Sequence, residues 1–245
     1  MKSKLVIILL LLASSLGFAQ NAHFWDGIEA FDGPTDENPV LAAQIDFYFD
    51  KLVAPLPDSI TKEVDRLVER TEYNADLRDF ILWHLLEKYR HPEYMSQDQV
   101  FVWLYDRYFS QLDIKDLNEA NLAMIRDKAE RLRRLALFNI APDFKINGSF
   151  VLQSVESDYT VLFFYDHSCE TCQQEQVVLD SVCAMHNEIK VVAIDLNMDL
   201  NENISELLAV FDTYDIESKP LIYVLDRDKR IIAKKIRAEQ IEVVL

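Results

Sequence analysis

The sequence predicts an all-α helical bundle followed by a mixed α/β domain. Two observations carry that prediction. From Ser59 to about Ile140 apolar residues recur at helical spacing, and at Ala141-Pro142 the period changes to that of strands. Further on, Val161 to Tyr165 is a short, β-rich apolar run. After three polar residues it is followed by Cys169-Glu170-Thr171-Cys172 at the start of a segment with helical spacing.

Residues 1–20 have the composition of a secretory signal peptide. Lys2 and Lys4 form a basic start, Leu5 to Leu12 an apolar core, and Gly17-Phe18-Ala19 a small-x-small cleavage site. The apolar core is shorter than the about 20 residues a membrane-spanning helix needs. Cleavage near Ala19 then places the mature chain in the periplasm or another extracytoplasmic compartment. The formal charge of −17 becomes about −19 once Lys2 and Lys4 leave, with 23 basic against 42 acidic residues. A surface this acidic repels phosphate backbones and anionic lipid, which argues against nucleic acid as a partner. Only Gly27, Gly33 and Gly148 survive cleavage, too few for a phosphate-cradling loop, and no cofactor is expected.

Residues 21–57 hold four of the seven prolines and read as an irregular lead-in. Within it, residues 42–53 predict a short helix with Ile45, Tyr48, Phe49 and Leu52 on one face. Residues 58–140 read as the bundle. Ile60, Val64, Leu67 and Val68 follow Asp58-Ser59, a candidate cap. Asn74 caps a second helix with Leu77, Phe80, Ile81 and Leu85 inward. Ser96-Gln97-Asp98-Gln99 has the form of a capping box for a third, with Phe101, Leu104, Tyr105 and Tyr108 inward. Asp116 and Glu119 open a fourth, carrying Leu122, Ile125, Ala129, Leu132 and Ala136. His84 falls on an apolar stripe and is expected in the core. The basic run Arg126 to Arg134, interleaved with Asp127 and Glu130, is expected to be a solvated face. No catalytic constellation stands out in this half.

Residues 141–245 supply the α/β domain, expected to fold independently from about residue 139. A hairpin runs from Phe144 to Leu152 with Asn147-Gly148 as its turn. The strand at Val161 and a helix from Cys169 to about Met185 follow. Lys190 to Asp195 is a second buried strand, and Asn203 caps a helix through Ile204, Leu207, Leu208 and Phe211. Leu221 to Leu225 and Arg230 to Ile236 form a closing hairpin, and a short helix starts near Ala238.

Strand, short loop, then Cys-x-x-Cys at a helix start is the setting in which that motif does redox chemistry. Unpaired N–H groups and the dipole at the helix N-terminus stabilise a thiolate on Cys169, making it the nucleophile. Cys172, one turn further in, can attack a mixed disulfide and release the product. The alternatives are a structural disulfide or a zinc site. With only three cysteines the chain is not a disulfide-stapled scaffold, and zinc wants four ligands. Cys183 is isolated, and no histidine follows His186. No metal is expected. Cys183 stands 11 residues beyond Cys172 on the same helix, a rise of about 16 Å against a limit of ~7 Å between bridged Cα atoms. It is expected to be a buried, inert thiol.

At this point the C-terminal part resembles the thioredoxin fold, and within it the TlpA/ResA-like (AhpC/TSA-related) thiol–disulfide oxidoreductases of bacterial envelopes. The residues that carry the resemblance are Ala141-Pro142-Asp143-Phe144, Cys169-Glu170-Thr171-Cys172, Glu175, and Lys219-Pro220-Leu221, in that order. The resemblance implies a cis peptide before Pro220, with the backbone at Lys219 and Pro220 pairing with substrate. It also implies protein disulfide or dithiol clients and a membrane thiol as electron donor. The chain departs from the pattern at Ser168, Thr171 and Val177, and has Phe163 where thioredoxin carries a buried aspartate. The helical half is similar to an uncharacterised domain that precedes thioredoxin-like domains in some bacterial envelope proteins; its partner is unknown.

Three carboxylates, Asp166, Glu170 and Glu175, crowd the two thiols in sequence. Negative charge disfavours a thiolate, so these residues are expected to raise the thiol pKa and make the couple a reductase. The other function class is an envelope binding or scaffold protein, in which the bundle binds a partner and the thioredoxin-like domain is a docking module.

Overall fold

The computed structural model describes residues 24–26, 38–146, 148–197 and 204–245. The expected signal peptide, residues 21–23 and 27–37 of the lead-in, the expected turn residue Asn147 and the expected cap Asn203 lie outside the described residues. The chain divides into two compact units, Met1–Lys88 and Tyr89–Leu245.

The first unit is helical. Its helix α1 (Pro39–Lys51) buries Leu41, Ile45, Tyr48 and Phe49, and Asn38 caps it by accepting from Leu41 N–H at 3.0 Å. Tyr48 is the centre of this unit. Phe24 and Trp25 pack on its ring at centroid distances of 4.9 and 4.8 Å, and its hydroxyl donates to Glu63 at 2.7 Å. Glu63 lies on α2 (Pro57–Glu69), which buries Ile60, Val64 and Leu67. Pro57 rather than Asp58 opens α2, and no side chain caps it. Asn74 does accept from Leu77 N–H, at 3.1 Å, at the start of α3 (Ala75–Arg90). His84 is a correction: it is only half-buried, and its Nε2 lies 3.0 Å from Asp46 Oδ1, so it serves a polar pair beside the core.

The second unit joins two further helices to a four-stranded sheet. Helix α4 (Asp98–Leu104) continues into one wide turn at Tyr105–Phe109, and α5 spans Glu119–Arg134. A short hairpin, β1 (Lys145–Ile146) and β2 (Ser149–Phe150), turns through Gly148 at φ +79°, a conformation that glycine adopts without a Cβ clash. The main sheet has the order β4-β3-β5-β6, where β3 is Tyr159–Tyr165, β4 Ile189–Asp195, β5 Leu221–Leu225 and β6 Ile231–Lys234. Strands β3 and β4 run parallel; the other pairs are antiparallel. The segment around Ile140 bridges to Arg230 beyond β6.

Alternation along β3 builds two cores from one strand. Leu162 and Phe164 face a cluster with Phe144, Leu207, Val210, Tyr214 and Tyr223, roofed by α7 (Ile204–Thr213). Val161 and Phe163 face the other side, against Leu179 and Val182 of α6 (Glu170–Met185) and against Ala238 and Ile241. Those last residues belong to a 3₁₀ turn at Ala238–Gln240 and to α8 (Ile241–Val244).

The period change after Ile140 does not mark the boundary between compact units, because buried charge ties α4 and α5 to the sheet. Lys234 on β6 is fully buried; its ammonium donates to Asp98 Oδ2 at 2.5 Å and to the Leu135 carbonyl at 2.6 Å. Asp98 is 1% exposed and makes no cap, so the expected capping box at Ser96–Gln99 is not formed. Lys128, expected on a solvated face, is buried with its ammonium 3.0 Å from Asp215 and 2.7 Å from Glu217. Lys235 completes the Asp215 site at 2.8 Å.

A buried ion stripped of its partner costs about 3–5 kcal/mol. A fragment of residues 89–245 is therefore expected to unfold cooperatively in denaturant. One starting at residue 139 lacks Asp98 and Lys128, leaves Lys234 without its carboxylate and Asp215 with Lys235 alone, and should be insoluble or non-cooperative. Equal stability of the two fragments would show that α4 and α5 are dispensable.

Candidate active site

Strand β3 delivers the chain to the site, and Asp166 shapes the loop that follows. Asp166 Oδ1 accepts from Ser168 N–H at 3.0 Å and from Ser168 Oγ at 2.7 Å, and its carbonyl accepts from Cys169 N–H at 3.0 Å. These bonds turn the chain so that Cys169 becomes the N-cap residue of α6, with φ −89° and ψ 118°. Its sulfur takes the place that a Ser or Asp oxygen fills at other helix starts and accepts from Cys172 N–H at 3.3 Å. Cys169 is half-buried, while Cys172 is 1% exposed beneath it.

The two thiols titrate in opposite directions. Hydrogen bonds from the Cys172 thiol and from its N–H hold Cys169 below the ordinary thiol range, against the charge of Asp166. Burial first, and then the bond to Cys169, push Cys172 up to about 11. One sulfur is thus prepared as a thiolate and the other is kept as a thiol. Cys183 lies half-buried on the same helix, and burial raises its pKa too.

The other expected residues fall in different places. Asp166 is next to the thiols, and Lys219 Nζ lies 2.9 Å from its Oδ2. Ser168 and then Lys219 hold the Asp166 carboxyl well below the usual carboxylate range. The Lys219-Pro220 peptide is cis. Glu170 is exposed in the first turn of α6. Glu175 is engaged elsewhere, its Oε2 accepting from Ala238 N–H at 2.8 Å where the C-terminal 3₁₀ turn starts. Ser168 and the side chain of Lys219 were not singled out from the sequence as parts of the loop. An aspartate two residues before a serine was a legible turn signal for the first; the second depends on a residue 53 positions away.

Asp166, His167 and Asp195 bring their polar atoms within 4.8 Å of one another. Their bonding resolves them into two pairs, Asp166 with Lys219 and His167 Nδ1 with Asp195 Oδ2 at 3.0 Å. An open cleft of about 510 Å³, lined by Glu156, Asp158, Lys190 and Arg227 among others, lies at the opposite end of β3, away from the cysteines. Among the described residues, no helix is long and apolar enough to cross a membrane.

Two outcomes follow from this geometry. Iodoacetamide labelling of the reduced protein, followed by peptide mass spectrometry across pH, should modify Cys169 first, with a midpoint below the ordinary thiol value. Cys172 should be labelled only as the pH approaches about 11, and the reverse order would exclude this arrangement. Glu175→Ala should lower stability by about 1–2 kcal/mol, the value of a charge-assisted bond, and leave the Cys169 midpoint in place. A shifted midpoint at unchanged stability would instead make Glu175 a tuner of the thiols.

Comparison with known proteins supports the fold. A family model described as "TraF: F plasmid transfer operon protein" matches residues 146–234. No match was found among curated proteins. A thioredoxin-like protein from Bacteroides caccae is 16% identical, with a TM-score of 0.68 covering 91% of this chain and 89% of that one. A domain of a possible thiol-disulfide isomerase from Cytophaga hutchinsonii is 29% identical over 44% of this chain and 88% of its own, with a TM-score of 0.35. The thioredoxin domain of a thiol-disulfide oxidoreductase from Bacteroides vulgatus is 18% identical over 44% of this chain and 96% of its own, also at 0.35. The chain is thus a thioredoxin-like α/β domain at its C-terminal end, preceded by helices.

Proposed function

We propose that the chain is an extracytoplasmic thiol–disulfide oxidoreductase of the TlpA/ResA-like kind that reduces protein disulfides. The observation that carries this reading is the Cys169 sulfur at the N-cap of α6, accepting from the N–H of a buried Cys172. In the reaction, the Cys169 thiolate attacks one sulfur of a client disulfide. A Cys169–client bond forms, the client S–S bond breaks, and the departing client sulfur takes up a proton. Cys172 then gives up its proton and attacks Cys169 Sγ. The Cys169–Cys172 disulfide forms and the second client sulfur leaves as a thiol. The client gains two electrons and two protons, and the protein is oxidised by the same amount. A thiol electron donor, proposed here to be membrane-borne, returns it to the dithiol.

The reducing direction rests on what stabilises the Cys169 thiolate. Its donors are neutral: the thiol and N–H of Cys172 and the N–H of Thr171. Lys219, whose ammonium reaches this loop, is paired with Asp166. Neutral donors stabilise a thiolate less than an unpaired cation beside it would, which keeps the reduced form a good electron donor. Backbone at the cis Lys219-Pro220 bond is the proposed contact for the client main chain.

Reduction of insulin by the protein with dithiothreitol tests the activity; Cys169→Ser should abolish it. A glutathione redox titration tests the direction. The couple should lie nearer thioredoxin's about −270 mV than the about −120 mV of a strong oxidant. A midpoint above about −180 mV would make the protein an oxidase or isomerase. Absent turnover with intact Cys169 would favour the scaffold reading.

A further inference from the structure

We propose that Lys219 is a positioning residue for the thiol site, acting through Asp166. Its ammonium bolts the Pro220 loop to the loop before Cys169 and neutralises the carboxylate that would otherwise oppose the thiolate. This deepens the oxidoreductase reading and rests on it for its consequence in turnover, though the electrostatic claim stands on geometry alone.

Asp166 has two properties that conflict. Its Oδ1 and its carbonyl hold Ser168 and Cys169 in the turn that presents the sulfur at the helix start. Its negative charge, three residues from Cys169, disfavours the thiolate of both cysteines. Lys219 resolves the conflict by binding the other oxygen, Oδ2, at 2.9 Å. The turn is kept and the charge is compensated. The pair is well placed for this, since the Asp166 side chain is only 17% exposed and that of Lys219 34%. Lys219 also immediately precedes the cis bond to Pro220, so one side chain sets both the charge at Cys169 and the position of the Pro220 loop.

Other charged groups near the loop are accounted for. Asp195, at the end of β4, is bonded to His167. It adds to the effect of burial in raising Tyr165, the last residue of β3. Glu170 is exposed in the first turn of α6. Cys172 supplies the neutral donors already described.

The test uses the full chain and reads the Cys169 thiolate directly, by pH-dependent iodoacetamide labelling with peptide mass spectrometry. Lys219→Met leaves Asp166 uncompensated and should raise the Cys169 midpoint by about half a unit, a shift limited by solvent screening. Asp166→Asn keeps an acceptor for Ser168 and removes the charge, so it should lower the midpoint by a similar amount. The double variant should return near wild type, and Lys219→Arg should stay there. Shifts of the same sign in the two single variants, or no shift beyond about 0.2 unit, would overturn the proposal and leave the pair a purely structural tie. Insulin reduction by the same samples separates the two readings. Opposite shifts in a protein that never reduces insulin would uphold Lys219 while refuting the oxidoreductase.

Discussion

Strand β3 must be covered on both faces, and most of the second unit follows from that requirement. Val161, Leu162, Phe163 and Phe164 are all fully buried. A strand with apolar side chains on both sides cannot rest at the surface of a one-sided sheet, because exposing either row forfeits about 1.5–3 kcal/mol per residue. Helix α7 and the residues flanking the first hairpin, Phe144, Val151 and Leu152, cover the even positions; α6 and the C-terminal turns cover the odd ones. The loop that carries Cys169 is a by-product of the same arrangement. The chain leaves the buried end of β3 at Tyr165 and enters α6 at Glu170, so only four residues connect strand to helix. Within them Asp166 supplies the turn and Cys169 the cap.

Charge plays two different roles in this unit. Around Lys234 and Asp215 it is buried and fully partnered, and there it specifies which helices lie against which strand ends. Burial lowers the Lys234 pKa, while Asp98 works against that fall. At Asp215 burial raises the carboxyl pKa, and Lys235 and Lys128 outweigh it, so the group titrates below the ordinary carboxylate range. Near the cysteines the charges are few and half-exposed, and they act on chemistry. The acidic composition, expected to act on the thiols through three carboxylates, is narrowed by geometry to Asp166, because Glu170 points to solvent and Glu175 bonds to Ala238.

Much of this was legible in the sequence where the governing physics is local. Helical spacing identified the helices that bury Ile45, Val64, Ile81 and Ile125, and the apolar run Val161 to Tyr165 identified β3. The cysteine spacing marked the start of α6, and Asn74 was a true cap. What stayed hidden depends on partners distant in the chain. Ser96 and Gln99 have the spacing of a capping box, yet no side chain caps α4, and Asp98 between them is bonded to the ammonium of Lys234. Lys128 sits in a run that reads as solvated until Asp215 is brought to it. His84 follows an apolar stripe, and Asp46 draws it out of the core. Glu175 looked like a neighbour of the thiols because helical spacing places it one turn on, and nothing local announces that Ala238 needs an acceptor.

The Asp98–Lys234 contact also carries a consequence for the order in which the chain can fold. The two residues are 136 positions apart, and β6 comes well after α4 and α5 in the chain. Until it arrives, α4 and α5 have made their own turns but lack the surface and the cation they need. A long-range contact of this kind stabilises nothing until the whole loop is closed. The second unit therefore stays open, with Asp98 and Leu135 lacking their partners, until β6 is in place. A partly formed unit of this kind exposes apolar surface and is prone to aggregate until it closes. Loss of β6 would remove the cation that Asp98 and the Leu135 carbonyl share and leave the second unit without its closing contact.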